Sequence, residues 1–176
     1  MIILGIDPGT ATTGYGIIKI PDDILGREFN YDIELITYGN ISTSKDSLMQ
    51  DRLHLIHSEL SQIIEKYKPD QMVSEMLFFG VNSRTAIMVG QARGVIMLAA
   101  SQNRLPFQDY TGLQVKLMVA GSGRSDKKQV QEAVRKWLGK KGRKRAQFGK
   151  LKGGHLDDAI DALAIAICHV LKLASK

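Results

Sequence analysis

Four acidic residues stand where a chain can build a cation site: Asp7, Glu75, Asp158 and Asp161. Asp7 closes the apolar run from Ile2 and precedes Pro8-Gly9, at a strand end where a side chain opens into a crevice rather than a packed face. Taken alone it also reads as a turn former. Glu75 ends the apolar-leaning stretch QMVSE and is followed by Met-Leu-Phe-Phe. If buried, such a carboxylate must be paired, protonated or metal-bound; an exposed edge position is its other reading. In HLDDAIDALAIAI, acids at 157, 158 and 161 open a helical pattern that continues almost wholly apolar. Asp158 and Asp161, three apart, share one helical face, where like charges repel. Compensation of the helix dipole accounts for Asp157 and in part for Asp158. It accounts less well for Asp161, a turn further in against Ala162, Leu163 and Ala164. Hard oxygen ligands without a His–Cys set suit Mg²⁺ or Mn²⁺ rather than zinc. Two such ions, about 3.5–4 Å apart, activate water and stabilise the leaving oxygen in phosphodiester cleavage.

A phosphate-rich partner is also suggested by the charge pattern. Between Gly139 and Gly154 lie Lys140, Lys141, Arg143, Lys144, Arg145, Lys150 and Lys152, with no acid among them. The net charge is +6, so these seven cations leave the rest of the chain at −1. A block of this kind is the footprint of nucleic acid or, alternatively, a solvated surface loop.

The elements that must bring the acids together follow from apolar periodicity. Residues 2–7 predict a first strand and 13–20 a second, joined by a turn so short that the pair must be an antiparallel hairpin. Residues 21–31 read as a long polar loop, and 33–41 as the third strand of a meander. Leu48, Leu53, Leu55, Ile56, Leu60, Ile63 and Ile64 describe an amphipathic helix ending near Tyr67, before Pro69. A brief strand follows at 71–75. Asn82-Ser83 can cap a long helix to about Gln102, and 107–110 predicts another strand. Helices are expected near 112–119 and 125–138, and a last one from about Leu156 to Leu173. In the long helix, Gly90 and Gly94 lie on one face and allow close approach of a neighbour, either a second subunit or the protein's own sheet. The expected class is α/β: a mixed five-stranded sheet, antiparallel meander plus parallel strands, flanked by helices.

The totals set the outer bounds. A length of 176 residues fits one globular domain, 1–176, with the basic loop at about 139–154. An apolar fraction of 44% and a charged fraction of 24% are ordinary for a soluble fold. No apolar run reaches the ~18 residues of a membrane span. MIILGID, with no basic lead-in and no small-residue cleavage site, does not read as a signal peptide. The lone Cys168 excludes an internal disulfide framework and suits a reducing cytosol. Set in an apolar helical pattern, it reads as a buried hydrophobe.

At these residues the chain resembles the RuvC family of Holliday-junction resolvases, the crossover junction endodeoxyribonucleases, which have a ribonuclease-H-like fold. The matching stretches are GIDPGTATTGYGII at 5–18, SEMLFFGVNSRTAIMVGQARG at 74–94, QVKLMVAGSG at 114–123, KKQVQ at 127–131 and DDAIDALAIAICH at 157–169. The resemblance implies a cytoplasmic homodimer that resolves four-way DNA junctions by paired symmetric nicks in recombination and repair. It also implies dependence on Mg²⁺ or Mn²⁺, two ions per site, and a branch-migration motor as partner. Position by position, the family's catalytic acids fall on Asp7, Glu75, Asp158 and Asp161. Asp158 rather than Asp157 takes the third place, since the pattern is acid, two residues, acid, then Ala-Leu-Ala. Phe78 matches an aromatic that stacks on opened bases, against the plainer reading that Phe78 or Phe79 packs in the core. Lys116 and Lys127 match basic positions near the scissile phosphate, with Lys128 able to exchange roles with Lys127. The segment 139–154 is longer and more basic than the resemblance leads one to expect. His155 lies near the acids, in a family where a histidine can replace the third acid; with Asp158 in that place, His155 reads as a helix-start residue.

Three other readings compete. GIDPGT also resembles the first phosphate motif of sugar kinases and actin-like ATPases. Those clasp a nucleotide between two such domains, more than 176 residues supply, and have no use for the Asp158/Asp161 pair. A junction-binding module without cleavage is at odds with four intact acids. A ribonuclease-H-like nuclease acting on RNA or on other branched DNA is the nearest enzymatic neighbour.

Overall fold

The computed structural model describes residues 1–22, 33–76, 83–139 and 155–175. Strands β1 (Ile2–Asp7), β2 (Thr12–Lys19) and β3 (Glu34–Ser42) precede helix α1 (Met49–Tyr67); β4 (Gln71–Glu75), α2 (Ser83–Gln102), β5 (Phe107–Tyr110), α3 (Gly112–Ala120), α4 (Lys127–Leu138) and α5 (His155–Ala174) follow. The sheet order is β3-β2-β1-β4-β5. β1 pairs antiparallel with β2, and β2 with β3, as the short connection between the first two strands requires. β4 joins β1 in parallel and β5 joins β4 in parallel, each after an intervening helix. This is the mixed five-stranded, ribonuclease-H-like sheet that the sequence led us to expect.

Two cores lie on opposite faces, sorted by the period-two alternation of strand side chains. Leu4, Ile6, Ile17 and Met72 face α1 and α2, packing with Ile56, Leu60, Ala92 and Ile96. Ile3, Ile18 and Val73 face the other way, against α5 and the helices beside it, with Val115, Val130, Ile160 and Leu163. The same alternation puts Asp7 on the α5 side of β1 and Glu75 on the α5 side of β4.

α5 approaches the sheet closely because the strands offer glycine where it crosses. A Cβ on Gly5 would fall 2.1 Å from the Ala162 carbonyl oxygen, and one on Gly14 would fall 2.1 Å from that of Asp158. On Gly16 it would press into Leu163 at 2.6 Å. Only side-chain-free positions tolerate a helix backbone at this distance.

Helix ends account for the small departures from the expected boundaries. α4 starts at Lys127 rather than at residue 125, because the Asp126 carboxylate accepts from the Gln129 amide while the Gln129 side chain accepts from the Asp126 amide. α3 is opened by the same reciprocal device between Thr111 and Gln114. The expected loop at 21–31 falls largely on residues 23–32, outside the described residues, as does Asn82. Among the described residues no helix is long and apolar enough to cross a membrane.

Candidate active site

Asp7 and Glu75 end adjacent parallel strands. Ile6 stands opposite Ser74, so the next position on each strand brings the two acids to one edge of the sheet. Across that edge lies the first turn of α5. The Asp158 carbonyl rests over Gly14, which in turn pairs with Asp7 across the hairpin. The four acids foreseen from sequence thus come from three elements to one place.

Their mutual proximity registers as electrostatics. The Asp7 carboxyl is pushed up to about 8, first by burial and then by the negative charges of Asp161, Glu75 and Asp158, with Lys127 pulling the other way. Burial also raises Glu75, as does Asp161, and Lys116 opposes the rise. Asp161 is raised by burial, against the pull of Lys127, with Asp157 and Asp158 adding to the rise. For Lys127, desolvation acts to lower the ammonium's pKa but is outweighed by Asp161, Asp157 and Asp158, and the net shift is upward.

A cavity of about 260 Å³ opens beside these groups, lined by the charged side chains of Glu75, Asp161, Lys116 and Lys127 and the apolar ones of Val115, Val130, Ala164 and Ile165. The structure therefore places both Lys116 and Lys127 at the acids. Lys127 and Lys128 are both exposed at the start of α4, and of the two it is Lys127 that lines the cavity. Phe78 and the cations Lys140, Lys141, Arg143, Lys144 and Arg145 lie outside the described residues.

The donor set fits a hard divalent cation. It is all carboxylate oxygen, and burial among the other carboxylates pushes the Asp7 carboxyl up to about 8, a cost that a bound cation would offset. Among the described residues, no three such side chains already stand at the spacing of a closed cage. The cluster is open, with the Lys127 ammonium 3.6 Å from Asp161 and 3.3 Å from Asp157.

Several supporting residues were not singled out in the sequence. Gly112 leaves room for the Glu75 carboxylate: a Cβ there would lie 2.7 Å from Oε1. Gln131 Nε2 donates to Asp157 Oδ1 at 2.7 Å, tying α4 to α5. Tyr110, opposite Glu75 in the sheet, makes a buried 2.6 Å hydrogen bond to His169 Nδ1 and so fixes α5 against β5. Burial pushes the Tyr110 phenol up to about 12, which keeps it protonated and able to donate. The Thr-x-x-Gln and Asp-x-x-Gln capping signatures at 111–114 and 126–129 were the available signal for where α3 and α4 begin, and hence for Gly112 and Lys127 as first-turn residues.

The comparisons with known proteins agree along the chain. The family model described as crossover junction endodeoxyribonuclease RuvC matches residues 3–169. The crossover junction endodeoxyribonuclease RuvC of Fusobacterium nucleatum is 44% identical over 176 residues, covering 100% of this chain and 83% of that protein. The protein of the same name from Halothermothrix orenii is 47% identical over 169 residues, covering 96% of this chain and 92% of its own. Among solved structures, T. thermophilus RuvC in complex with a Holliday junction substrate superposes with a TM-score of 0.81 at 27% identity, covering 99% of this chain and 96% of that one. With its fold matched and nearly its whole length covered, the chain belongs to the RuvC family of crossover junction endodeoxyribonucleases.

Proposed function

We propose that residues 1–176 form one nuclease domain that resolves four-way DNA junctions, using Asp7, Glu75, Asp158 and Asp161 to hold two Mg²⁺ or Mn²⁺ ions. The observation that carries this reading is the convergence of the acids at one sheet edge, with the Asp7 carboxyl held up to about 8. When bound, the cations activate the attacking water and stabilise the leaving oxygen. The chain's own side chains supply the rest. Lys116 and Lys127, which line the cavity beside the acids, offset the charge of the phosphate that is cut. Phe78, three residues beyond Glu75, stacks on a base opened at the junction centre. Lys128 and the cations Lys140, Lys141, Arg143, Lys144 and Arg145 hold flanking phosphates.

The protein acts as a homodimer in the cytoplasm, in recombination and repair, and works with a branch-migration motor. Two sites related by a dyad account for paired nicks in strands of like polarity. In support, the face of α2 turned away from the core is apolar. Ile87, Met97 and Leu98 are 62%, 42% and 51% exposed, and among the described residues Cβ atoms on Gly90 or Gly94 would meet nothing within 4 Å. The neighbour that those glycines anticipate is therefore not the protein's own sheet.

The test is a substrate panel: an immobile four-way junction, linear duplex and RNA–DNA hybrid, each with Mg²⁺ and with EDTA. Paired nicks confined to the junction and abolished by EDTA are expected. Asp7→Asn, Glu75→Gln, Asp158→Asn and Asp161→Asn should each stop cleavage and keep junction binding, since losing a negative charge does not weaken contact with phosphate. Near-normal cleavage by Asp158→Asn would move that role to Asp157 or His155. Phe78→Ala should lose cleavage of the closed junction at unchanged thermal stability; an equal loss of stability would make Phe78 a packing residue. Preferential cleavage of the hybrid would replace the junction reading with a ribonuclease.

A further inference from the structure

Beside the four acids stands a fifth, Asp157, which is tied to α4 by a hydrogen bond and an ion pair. Its Oδ1 accepts from Gln131 Nε2 at 2.7 Å, and its Oδ2 lies 3.3 Å from Lys127 Nζ. The same ammonium lies 3.6 Å from Asp161 Oδ2, so one cation is shared between an acid of the cluster and an acid outside it. Lys127 and Gln131 are four apart and share a face of α4, so the helix grips Asp157 at two points. Along α5, Asp161 sits angularly between Asp157 on the α4 side and Asp158 on the side nearer Gly14.

The arrangement has a consequence for cation binding. Without a divalent ion, the Lys127 ammonium supplies part of the positive charge that Asp161 lacks. A divalent ion at the acids repels that ammonium from Asp161. A lysine with no second partner would then be returned to solvent, away from the cavity it lines. We propose that Asp157 is a positioning residue: it takes Lys127 from Asp161 when a divalent cation enters the cluster, while Gln131 holds its carboxylate in place. Lys127 thereby stays beside the cavity, ready for a phosphate, in the loaded state as in the resting one. This rests on the reading of the four acids as cation ligands, and the experiment separates the two.

Mg²⁺ binding to the DNA-free full chain is measured by calorimetry for the wild type, Asp7→Asn, Lys127→Met, Asp157→Asn, Asp157→Glu and the double variant Asp157→Asn/Lys127→Met. Asn at 157 still accepts from Gln131, so the α4–α5 tie is kept. Lys127→Met should tighten Mg²⁺ binding roughly two- to fivefold, the scale of a half-exposed ion pair. Asp157→Asn should weaken it by a similar factor, because Lys127 is left with Asp161 alone, and Asp157→Glu should restore it. In the Lys127→Met background the Asp157→Asn effect should fall to less than half. Isotope-labelled lysine gives a second readout: on adding Mg²⁺, the Lys127 side-chain signal should stay distinct from those of free surface lysines in the wild type and merge with them in Asp157→Asn. An Asp157→Asn effect of the same size with and without Lys127, or a Lys127 signal that ignores Asp157, overturns the proposal. A wild type that binds Mg²⁺ no better than Asp7→Asn overturns the ligand reading itself, and this inference with it.

Discussion

At the scale of residues, Asp7 is where stability and function pull apart. Its carboxyl is pushed up to about 8 in the folded chain, from an ordinary value of 3.8. The native state thus holds a proton that the unfolded state has released. Folding stability must fall as pH rises from about 4 to about 8, and above that the whole penalty of an ionised Asp7 is present. Below about 4 both states are protonated and Asp7 contributes nothing. We therefore expect the metal-free protein to lose thermal stability from pH 5 to pH 8, and Asp7→Asn to remove much of that loss. At pH 8 the variant should be more stable by at least about 1 kcal/mol after solvent screening, or roughly 2–4 °C in Tm for a chain of this size. Thermal unfolding in EDTA across that range checks it; parallel pH profiles for variant and wild type would mean the Asp7 carboxyl is ordinary. Mg²⁺ should reverse the decline, with proton release visible as a buffer-dependent heat of binding below pH 8.

At the scale of elements, the glycines separate what holds the fold from what holds the site. Gly5→Ala puts a methyl 2.1 Å from the Ala162 carbonyl oxygen, which is helix backbone and cannot step aside. Gly112→Ala instead meets the Glu75 carboxylate at 2.7 Å, the end of a flexible side chain. The first should cost stability, on the order of 1–3 kcal/mol. If Glu75 is a cation ligand, as proposed, the second should leave Tm nearly unchanged while slowing cleavage roughly tenfold or more, because a displaced carboxylate misplaces the reacting groups. Unfolding curves beside single-turnover cleavage separate the cases, and equal stability losses would refute the distinction. The strands and helices themselves were legible in the sequence, because alternation and 3.6-residue periodicity are local. Asp161 was legible as a candidate because an acid inside an apolar helix is locally unreasonable, whereas Asp7 before Pro8-Gly9 also read as a turn former and was a candidate for its place at a strand end. Their convergence was not legible from spacing, since it depends on α5 lying on Gly5, Gly14 and Gly16, about 150 residues away along the chain. Which of Lys127 and Lys128 faces the acids depended on the Asp126 cap, which sets the phase of α4.

At the scale of the whole molecule, the net positive charge is concentrated in one stretch of sequence, 140–152. If the cations at 140–152 bind DNA phosphates, changing Lys140, Lys141, Arg143, Lys144 and Arg145 to Ser should flatten the plot of log affinity against log salt by up to about 4.5, at roughly 0.9 per phosphate. Binding titrations on junction and duplex DNA across salt measure this, and an unaltered slope would mark the segment as a solvated insert. The cleavage rate at saturating junction should hardly change, because the acids are untouched. The apolar surface belongs to α2. One face of that helix packs Ala92, Ile96, Ala99 and Ala100 into the core, and the opposite face carries Ile87, Gly90, Gly94, Met97 and Leu98. A helix apolar on two sides needs a second partner, and glycines four apart let another backbone come close. Leu98→Lys should therefore yield a monomer at micromolar concentration in sedimentation, where the wild type should run as a dimer. Leu98 is already 51% exposed in the single chain, so the protomer's own stability should change by no more than about 0.5 kcal/mol. The monomer keeps the four acids with Lys116 and Lys127 beside them, so it should still bind Mg²⁺. What it loses is the second active site on the same junction. The paired nicks should then become independent single nicks, seen as accumulation of singly nicked junction on a supercoiled cruciform substrate. Leu98→Lys that remains a dimer, or a monomeric wild type that still delivers paired nicks, would exclude α2 as the surface that couples the two cuts.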